Sequence, residues 1–366
     1  MPQLCKKSVT IHGPYGFTDE TYAACILAQT LRRIGYKVAY VTSDAAVRDV
    51  HFMVDRDVIR PTPSAPYSRS SRAITLHRLE TKPENVIWFD VNPRRLQLLR
   101  ELAPSQRHTL VLTPDNFAAF PAWPRHYSHV VCTRRDVYEA AELRLRREPV
   151  TVGATYVRWD SEWPLVTDGQ RLQATTRVMV YFGNMTTAMR GSIGALTQLR
   201  EFLAATPDIN CTLWHETAWD LTSATRVNEL MRDFGHRLTL LRNPDALKRA
   251  DNVRTHSVYV LMDAQQAVGT VAADAVAAHC PVIAYDSAPL NELVTHDLHG
   301  LLVPCRRRVQ RNGLVTYRGD HAKLFETVTG YVRGAQTPRR REWPQLEQRR
   351  RAFLDVWEAI LASDAV

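Results

Sequence analysis

One rhythm runs twice through this chain: short apolar runs, each closed by a turn signal or a helix start. The first series is Val9 to His12, Val38 to Thr42, Val86 to Phe89, Thr109 to Thr113 and His129 to Cys132. The second is Val178 to Phe182, Cys211 to Trp214, Leu238 to Leu241, Val258 to Leu261 and Val282 to Ala284. Short runs that stay apolar suit strands of a parallel sheet, because helices cover both of its faces. Between the first two runs, apolar residues at 22, 25, 26, 27, 31 and 34 form a helical stripe that Gly35 closes. Two such series predict an α/β chain with two Rossmann-like domains, and 366 residues are enough to give each its own core. The boundary is expected between Thr151 and Arg177. The predicted division is 1–157, 158–342 and a final helical segment, 343–366, with Leu346, Phe353, Trp357, Ile360 and Leu361 on one helix face.

The most detailed stretch runs from Gln265 to Pro304. Val268-Gly269-Thr270 opens a helix rich in alanine, with Asp274 one turn in, and Pro281 stops it before the strand Val282 to Tyr285. A Gly-Thr turn at a helix start presents unpaired backbone N–H groups, which suit a phosphate. An acid further along can hold ribose hydroxyls, as in nucleotide-binding folds.

This stretch resembles the donor-binding segment of retaining GT-B glycosyltransferases, the group that includes glycogen- and sucrose-synthase-like enzymes. That pattern is Glu, seven residues, Glu, a Pro-Val-Ile-Ala strand, a further acid and Gly-Leu-Leu-Val-Pro. Here Gln266 and Asp274 stand at the two Glu positions, followed by Pro281 to Ala284, Glu292 and Gly300 to Pro304. The resemblance implies an α/β GT-B fold, two facing Rossmann-like domains with a C-terminal helix crossing back onto the first. It also implies a UDP-sugar as co-substrate, UDP-glucose favoured, with no cofactor and no metal required. Family members grip the diphosphate with a Gly-Arg after the first strand of the second domain and a Lys-Gly beyond it. In this chain Gly183 matches, Asn184 takes the Arg position and Arg190 replaces the Lys. The loop containing Gly13 and Gly16 resembles the glycine loop that touches the donor sugar; the plain alternative is an ordinary βα turn. Asp90 and Asp115 end first-domain strands, where cleft ligands bind in open parallel sheets. Either could take the acceptor's proton or position its hydroxyl, or else cap a helix. The expected catalytic set is therefore Asp115, Asp90 and Arg190. The donor set is Gly13, Gly16, Gly183, Asn184, Arg190, Gln266, Gly269, Thr270 and Asp274.

Charge is distributed unevenly. Residues 1–150 hold 22 Lys and Arg against 15 Asp and Glu, residues 151–304 hold 12 against 16, and residues 305–366 hold 13 against 7. Basic ends around an acidic middle point to a polyanionic partner. Candidate contacts are Arg69, Arg72, Arg94, Arg95, Arg107, Arg125, Arg134 and Arg135, with Tyr67, Trp88, Trp123 and Tyr127 interleaved and Arg306 to Arg308 extending the track. Phosphate contacts plus stacking aromatics suit a DNA acceptor with an extruded base. In its compactness and Arg richness the chain is similar to bacteriophage-type DNA glycosyltransferases, which implies glycosylation of 5-hydroxymethylcytosine in DNA. The alternatives are an enzyme of surface polysaccharide or glycolipid synthesis working at a membrane, and a non-catalytic nucleic-acid-binding relic of the fold. Pro61 to Arg72 reads as a Pro/Ser loop. The six cysteines are scattered with no CxxC pair, no leader-like segment precedes the first strand, and no apolar run reaches membrane-span length, so a cytoplasmic protein is expected. A GxSxG elbow is absent.

Overall fold

The computed structural model describes residues 8–13, 19–43, 59–62, 85–89, 107–119, 127–148, 152–159, 177–185, 191–242, 252, 255–334 and 346–362. The chain divides into two units. The first comprises residues 1–162, 309–315 and 348–366, and the second 163–308 and 316–347.

The first unit holds a seven-stranded parallel sheet: β1 (Ser8–His12), β2 (Lys37–Ser43), β3 (Ile59–Thr62), β4 (Asn85–Trp88), β5 (Arg107–Leu112), β6 (His129–Cys132) and β7 (Gly153–Tyr156). Their order is β3-β2-β1-β4-β5-β6-β7, so the direction of strand addition reverses at β1 and β4. Ile11 pairs with Tyr40 on one side and Ile87 on the other, and β4 is buried along its whole length. The edge strand β3 runs into the start of the stretch read as a Pro/Ser loop; Pro61 is tolerated because an edge strand can leave one N–H side unpaired. Helix α1 (Asp19–Arg33) carries Asp19 and Glu20 in its first turn and Arg32 and Arg33 in its last, each opposing the adjacent helix-dipole charge. Gly35, at φ 89°, closes it with the bonds Gly35 N→Arg32 O and Tyr36 N→Leu31 O. Two further helices follow, α2 (Pro114–Ala119) and α3 (Arg135–Leu145).

The final helix, α9 (Leu346–Ala362), belongs to this unit apart from its first two residues. Trp159 meets Phe353 and Trp357 edge-on, at centroid distances of 5.4 and 5.9 Å, and meets Phe89 at 5.7 Å. Its indole N–H donates to Ala23 O at 3.2 Å. These aromatic rings explain why the apolar stripe of α9 packs here.

The second unit repeats the plan with six parallel strands: β8 (Arg177–Gly183), β9 (Asn210–His215), β10 (Leu238–Arg242), β11 (Val258–Leu261), β12 (Val282–Tyr285) and β13 (Gly300–Val303). The order β10-β9-β8-β11-β12-β13 reverses at β8 and β11. Its helices are α4 (Ser192–Ala205), α5 (Leu221–Phe234), α6 (Thr270–Ala277), α7 (Leu290–Leu293) and α8 (His321–Val332). Strands β14 (Arg306–Val309) and β15 (Val315–Arg318) form a separate hairpin that the sequence pattern did not announce. Residues 309–315, at its turn, are counted in the first unit. There Leu314 joins the core of Val137, Ala140 and Ala141.

Candidate functional site

In a doubly wound sheet, ligands bind beyond the carboxyl ends of the strands where the order reverses, because the flanking loops splay apart there. In the second unit those ends are Gly183 on β8 and Leu261 on β11. A cleft of about 630 Å³ opens at this point, lined by Met185, Gly191, Gly194, the stretch Met262 to Gln265, and Tyr317 to Gly319 with His321. Gly191 is the N-cap of α4 and adopts φ 88°, a left-handed conformation open to glycine at little cost. The first turn of α4 therefore borders the cleft, bringing helix N–H groups and a partial positive charge suited to an anion.

The opposite wall is built by polar joints. Asp263 Oδ1 accepts from Gln265 N at 2.7 Å, and Gln265 Nε2 donates to Tyr317 O, which ties β15 to the end of β11. His321 opens α8, and Asp320 caps that helix by accepting from Lys323 N at 3.2 Å. The Tyr285 hydroxyl lies 2.7 Å from His321 Nδ1. Burial lowers the imidazole's pKa, with Asp320 opposing, so the ring is neutral at pH 7. A neighbouring cleft of about 550 Å³ shares Arg318, Gly319 and His321 and adds Arg306 and Lys323. Arg318 is thus a cation common to both clefts.

None of the expected donor residues among those described lines this cleft, although Gly183 and Asn184 immediately precede Met185, which does. Gly183 is buried at the end of β8. Asn184 beside it is half-buried, and its Oδ1 is buried with no hydrogen-bond partner. Gln266, Gly269, Thr270 and Asp274 are all buried and do not line the cleft. A Cβ on Gly269 would stand 2.8 Å from Leu293 Cδ1 and 3.0 Å from Pro289 Cγ. The expectation of an open phosphate seat at Gly269 and Thr270 is therefore corrected: α7 and the residue before it cover that corner. The reason is visible in α6 itself, TVAADAVA, which is apolar nearly all round and consequently buried all round. The helix start that borders the cleft is α4. Arg190 lies outside the described residues.

In the first unit, the reversal point is filled by side chains. His12 and Trp88 stack at 4.1 Å with planes 10° apart, and Trp88 Nε1 donates to His108 Nδ1 at 3.2 Å. Burial pushes the His108 pKa down to about 4. Gly13 leaves room for the Tyr40 hydroxyl, against which any Cβ would collide. Asp115 is exposed on the second residue of α2, at the carboxyl edge of the sheet. It does not cap that helix: Asn116 Oδ1 accepts from Thr113 N at 2.7 Å and closes the turn. Gly16, Asp90, Arg69, Arg72, Arg94, Arg95 and Arg125, with Tyr67 and Trp123, lie outside the described residues.

Several proposed acceptor contacts are corrected. Arg134 has no exposed surface; its Nε and Nη2 bond both carboxylate oxygens of Asp136 at 2.9 and 2.6 Å, and Nη2 also reaches Val315 O at 3.2 Å. A guanidinium held so completely reads no nucleic acid. Arg107 donates to Leu361 O at 3.5 Å, serving the end of α9. Trp88 and Tyr127 are buried and offer no face for stacking on a base. Arg135 is exposed at the start of α3, and Arg306 to Arg308 are exposed along β14.

Asp263, Gln265, Arg318 and His321 were missed from sequence. The first two directly follow β11, so strand order would have found them; Arg318 ends a hairpin strand with no periodic signal, and His321 opens α8 just beyond it. Among the described residues, no group of three His, Cys, Asp or Glu could hold a metal ion, and no helix is long and apolar enough to cross a membrane.

No protein-family model and no curated protein sequence matches the chain. Solved structures do match its fold. The pneumococcal O-GlcNAc transferase GtfA, in complex with UDP and GlcNAc, superposes with a TM-score of 0.71 at 8% identity, covering 97% of this chain and 98% of that one. Sucrose-phosphate synthase from Thermosynechococcus elongatus gives 0.62 at 16%, covering 97% and 96%. Anabaena Alr3699/HepE, in complex with UDP and glucose, gives 0.61 at 11%, covering 97% and 95%. At such identities the likeness speaks for architecture, and with the repeated strand order it shows that this chain has the α/β, two-Rossmann-unit GT-B fold of these glycosyltransferases.

Proposed function

We propose that the chain transfers a sugar from a nucleoside-diphosphate sugar, UDP-glucose favoured, to an acceptor hydroxyl. The observation that carries this reading is the second unit's cleft, which the start of α4 and Arg318 both line at the sheet's reversal point. Two structures of the same fold hold UDP with a sugar or sugar derivative, which supports a donor of that class. Breaking the sugar–phosphate bond leaves charge on the diphosphate, and a helix start with nearby guanidinium groups meets that charge without a metal. Arg190 belongs to this reading as the second cation. Transfer proceeds with retention, the acceptor attacking on the face the diphosphate leaves, and Asp115 or Asp90 orients the hydroxyl or takes its proton.

For the acceptor, 5-hydroxymethylcytosine in DNA remains the proposal, supported by the net positive charge of residues 1–150 and the exposed Arg306 to Arg308. The burial of Arg134, Trp88 and Tyr127 weakens that surface and favours a second reading, a polysaccharide or glycolipid acceptor. The test incubates the chain with UDP-glucose, EDTA and either hydroxymethylated or unmodified DNA, then weighs the nucleosides. A hexose adduct on the modified DNA alone, α-linked by NMR and lost in Arg190→Ala, is expected. Adduct on a glycolipid acceptor but none on DNA selects the second reading. If both adducts are absent, slow hydrolysis of UDP-glucose to UDP and glucose, with water as the acceptor, keeps a transfer reading, and no consumption of UDP-glucose overturns it.

A further inference from the structure

We infer that His321 is the neutral donor that grips the departing diphosphate, its Nε2–H directed at the start of α4. This deepens the glycosyl-transfer reading and rests on it. The geometry begins at the end of β12, where Tyr285 is fully buried. The Tyr285 hydroxyl lies 2.7 Å from His321 Nδ1, burial pushes the phenol's pKa well above its ordinary value so that it keeps its proton, and we assign the hydroxyl as the donor of this pair. With Nδ1 accepting, the ring proton sits on Nε2. Gly319 is what allows the chain to cross so close above the Tyr285 ring, because any Cβ there would enter the ring.

Nε2 makes no hydrogen bond within the described residues, and it faces the two glycines of α4's first turn. A Cβ on Gly191 would stand 3.5 Å from Nε2, and one on Gly194 would stand 3.6 Å from Cδ2. Absent side chains at 191 and 194 leave the ring edge and the helix start open to one another across the cleft. A phosphate seated there would receive backbone N–H groups from one side and Nε2–H from the other. Arg318, on the same wall, contributes the full charge that a neutral ring does not.

In the transfer step the C1–O bond to the β-phosphate breaks, and its electron pair stays on the phosphate oxygen. The acceptor oxygen bonds to C1, and its proton passes to that departing oxygen or to the acceptor-side carboxylate. His321 donates a hydrogen bond throughout and keeps its proton, strengthening as the phosphate oxygen gains charge. Tyr285 is a positioning residue: it fixes the tautomer and touches no ligand.

The experiment uses the full chain and titrates UDP and uridine separately by calorimetry, so that the diphosphate's contribution is their affinity ratio. His321→Ala is expected to lower UDP affinity about 10- to 100-fold, the loss of one hydrogen bond to a charged group, and to leave uridine unchanged. His321→Gln, whose amide N–H can reach nearly the same point, should recover part of the ratio; Tyr285→Phe should lower it less than the alanine variant. In the unsubstituted protein, the His321 Nε2 resonance should move on adding UDP and stay still with uridine, a readout that needs no variant to fold. An unchanged ratio in His321→Ala, or an unmoved resonance, overturns the inference while a wild-type preference for UDP keeps the glycosyl-transfer reading. Wild-type protein that binds UDP no better than uridine brings down both.

Discussion

Substituting Arg134 by alanine separates a core ion pair from a nucleic-acid contact. In the fold this guanidinium has no exposed surface and Asp136 is 6% exposed, so the change strands a carboxylate away from water. The same carboxylate accepts from Val315 N at 3.3 Å, and Val315 O loses the Arg134 donor. Removing one member of a buried pair costs about 3–5 kcal/mol, because the remaining charge keeps its desolvation penalty and loses its compensation. For a domain of this size that corresponds to a fall in Tm of roughly 6–20 °C. Replacing both partners with Arg134→Met and Asp136→Leu should restore most of the loss, since no charge is then stranded. Thermal unfolding followed by tryptophan fluorescence reads the first effect. DNA affinity measured against salt reads the second, where the slope should be unchanged; a surface phosphate contact would lower it by about 1. A Tm loss of less than about 3 °C in Arg134→Ala, or a reduced salt slope in the folded variant, would refute the assignment of Arg134 to the core.

Trp357→Ala should cost about 3–5 kcal/mol in urea unfolding, because it empties the pocket against Trp159; a cost near zero would mean α9 is not held there. Gly191→Ala forces a side chain into φ 88° and should cost about 1–2 kcal/mol while narrowing the cleft, so UDP binding should fall with it. Gly269→Ala carries the same backbone strain and adds overlap with Leu293, so its stability loss should exceed that of Gly191→Ala, and the reverse ranking would contradict the covered corner. His108 is neutral in the fold, so the unfolded chain takes up its proton first as pH falls. Its contribution, about 3 kcal/mol, is full above about pH 6.5 and drains away towards pH 4. His108→Gln, which can still accept from Trp88, should flatten the stability difference across that window, and parallel pH curves for variant and wild type would rule it out.

The strands were the most legible part of the chain, because a parallel sheet covered on both faces leaves runs such as Val86 to Phe89 and Val258 to Leu261 apolar throughout. Edge strands were harder. β3 contains Pro61 and β7 is only partly buried, so neither shows the apolar run of an interior strand. The donor segment was legible as a pattern but not as a surface: GTVAADAV reads as a helix start, and only its packing against Pro289 and Leu293 reveals that the start is covered. Arg134 illustrates the limit for charge. In sequence it stands beside Arg135 as half of a basic pair, and the two have opposite fates because the chain enters α3 between them. The cleft's far wall depends on a hairpin held by Gln265, whose side chain reaches Tyr317 O, a long-range bond that no local pattern encodes.

The interleaving of the two units along the chain has a consequence for biosynthesis. A growing polypeptide that has just added Val303 already contains every described strand of both large sheets. The earlier-made sheet nevertheless still lacks Leu314 in its core and the Phe353 and Trp357 rings over Trp159, all supplied by segments not yet translated. Its maturation must wait for the ribosome to reach the last helix. Nascent chains stalled before that point should bind a chaperone that recognises exposed aromatic surface, and release should coincide with emergence of residues 346–362 from the exit tunnel.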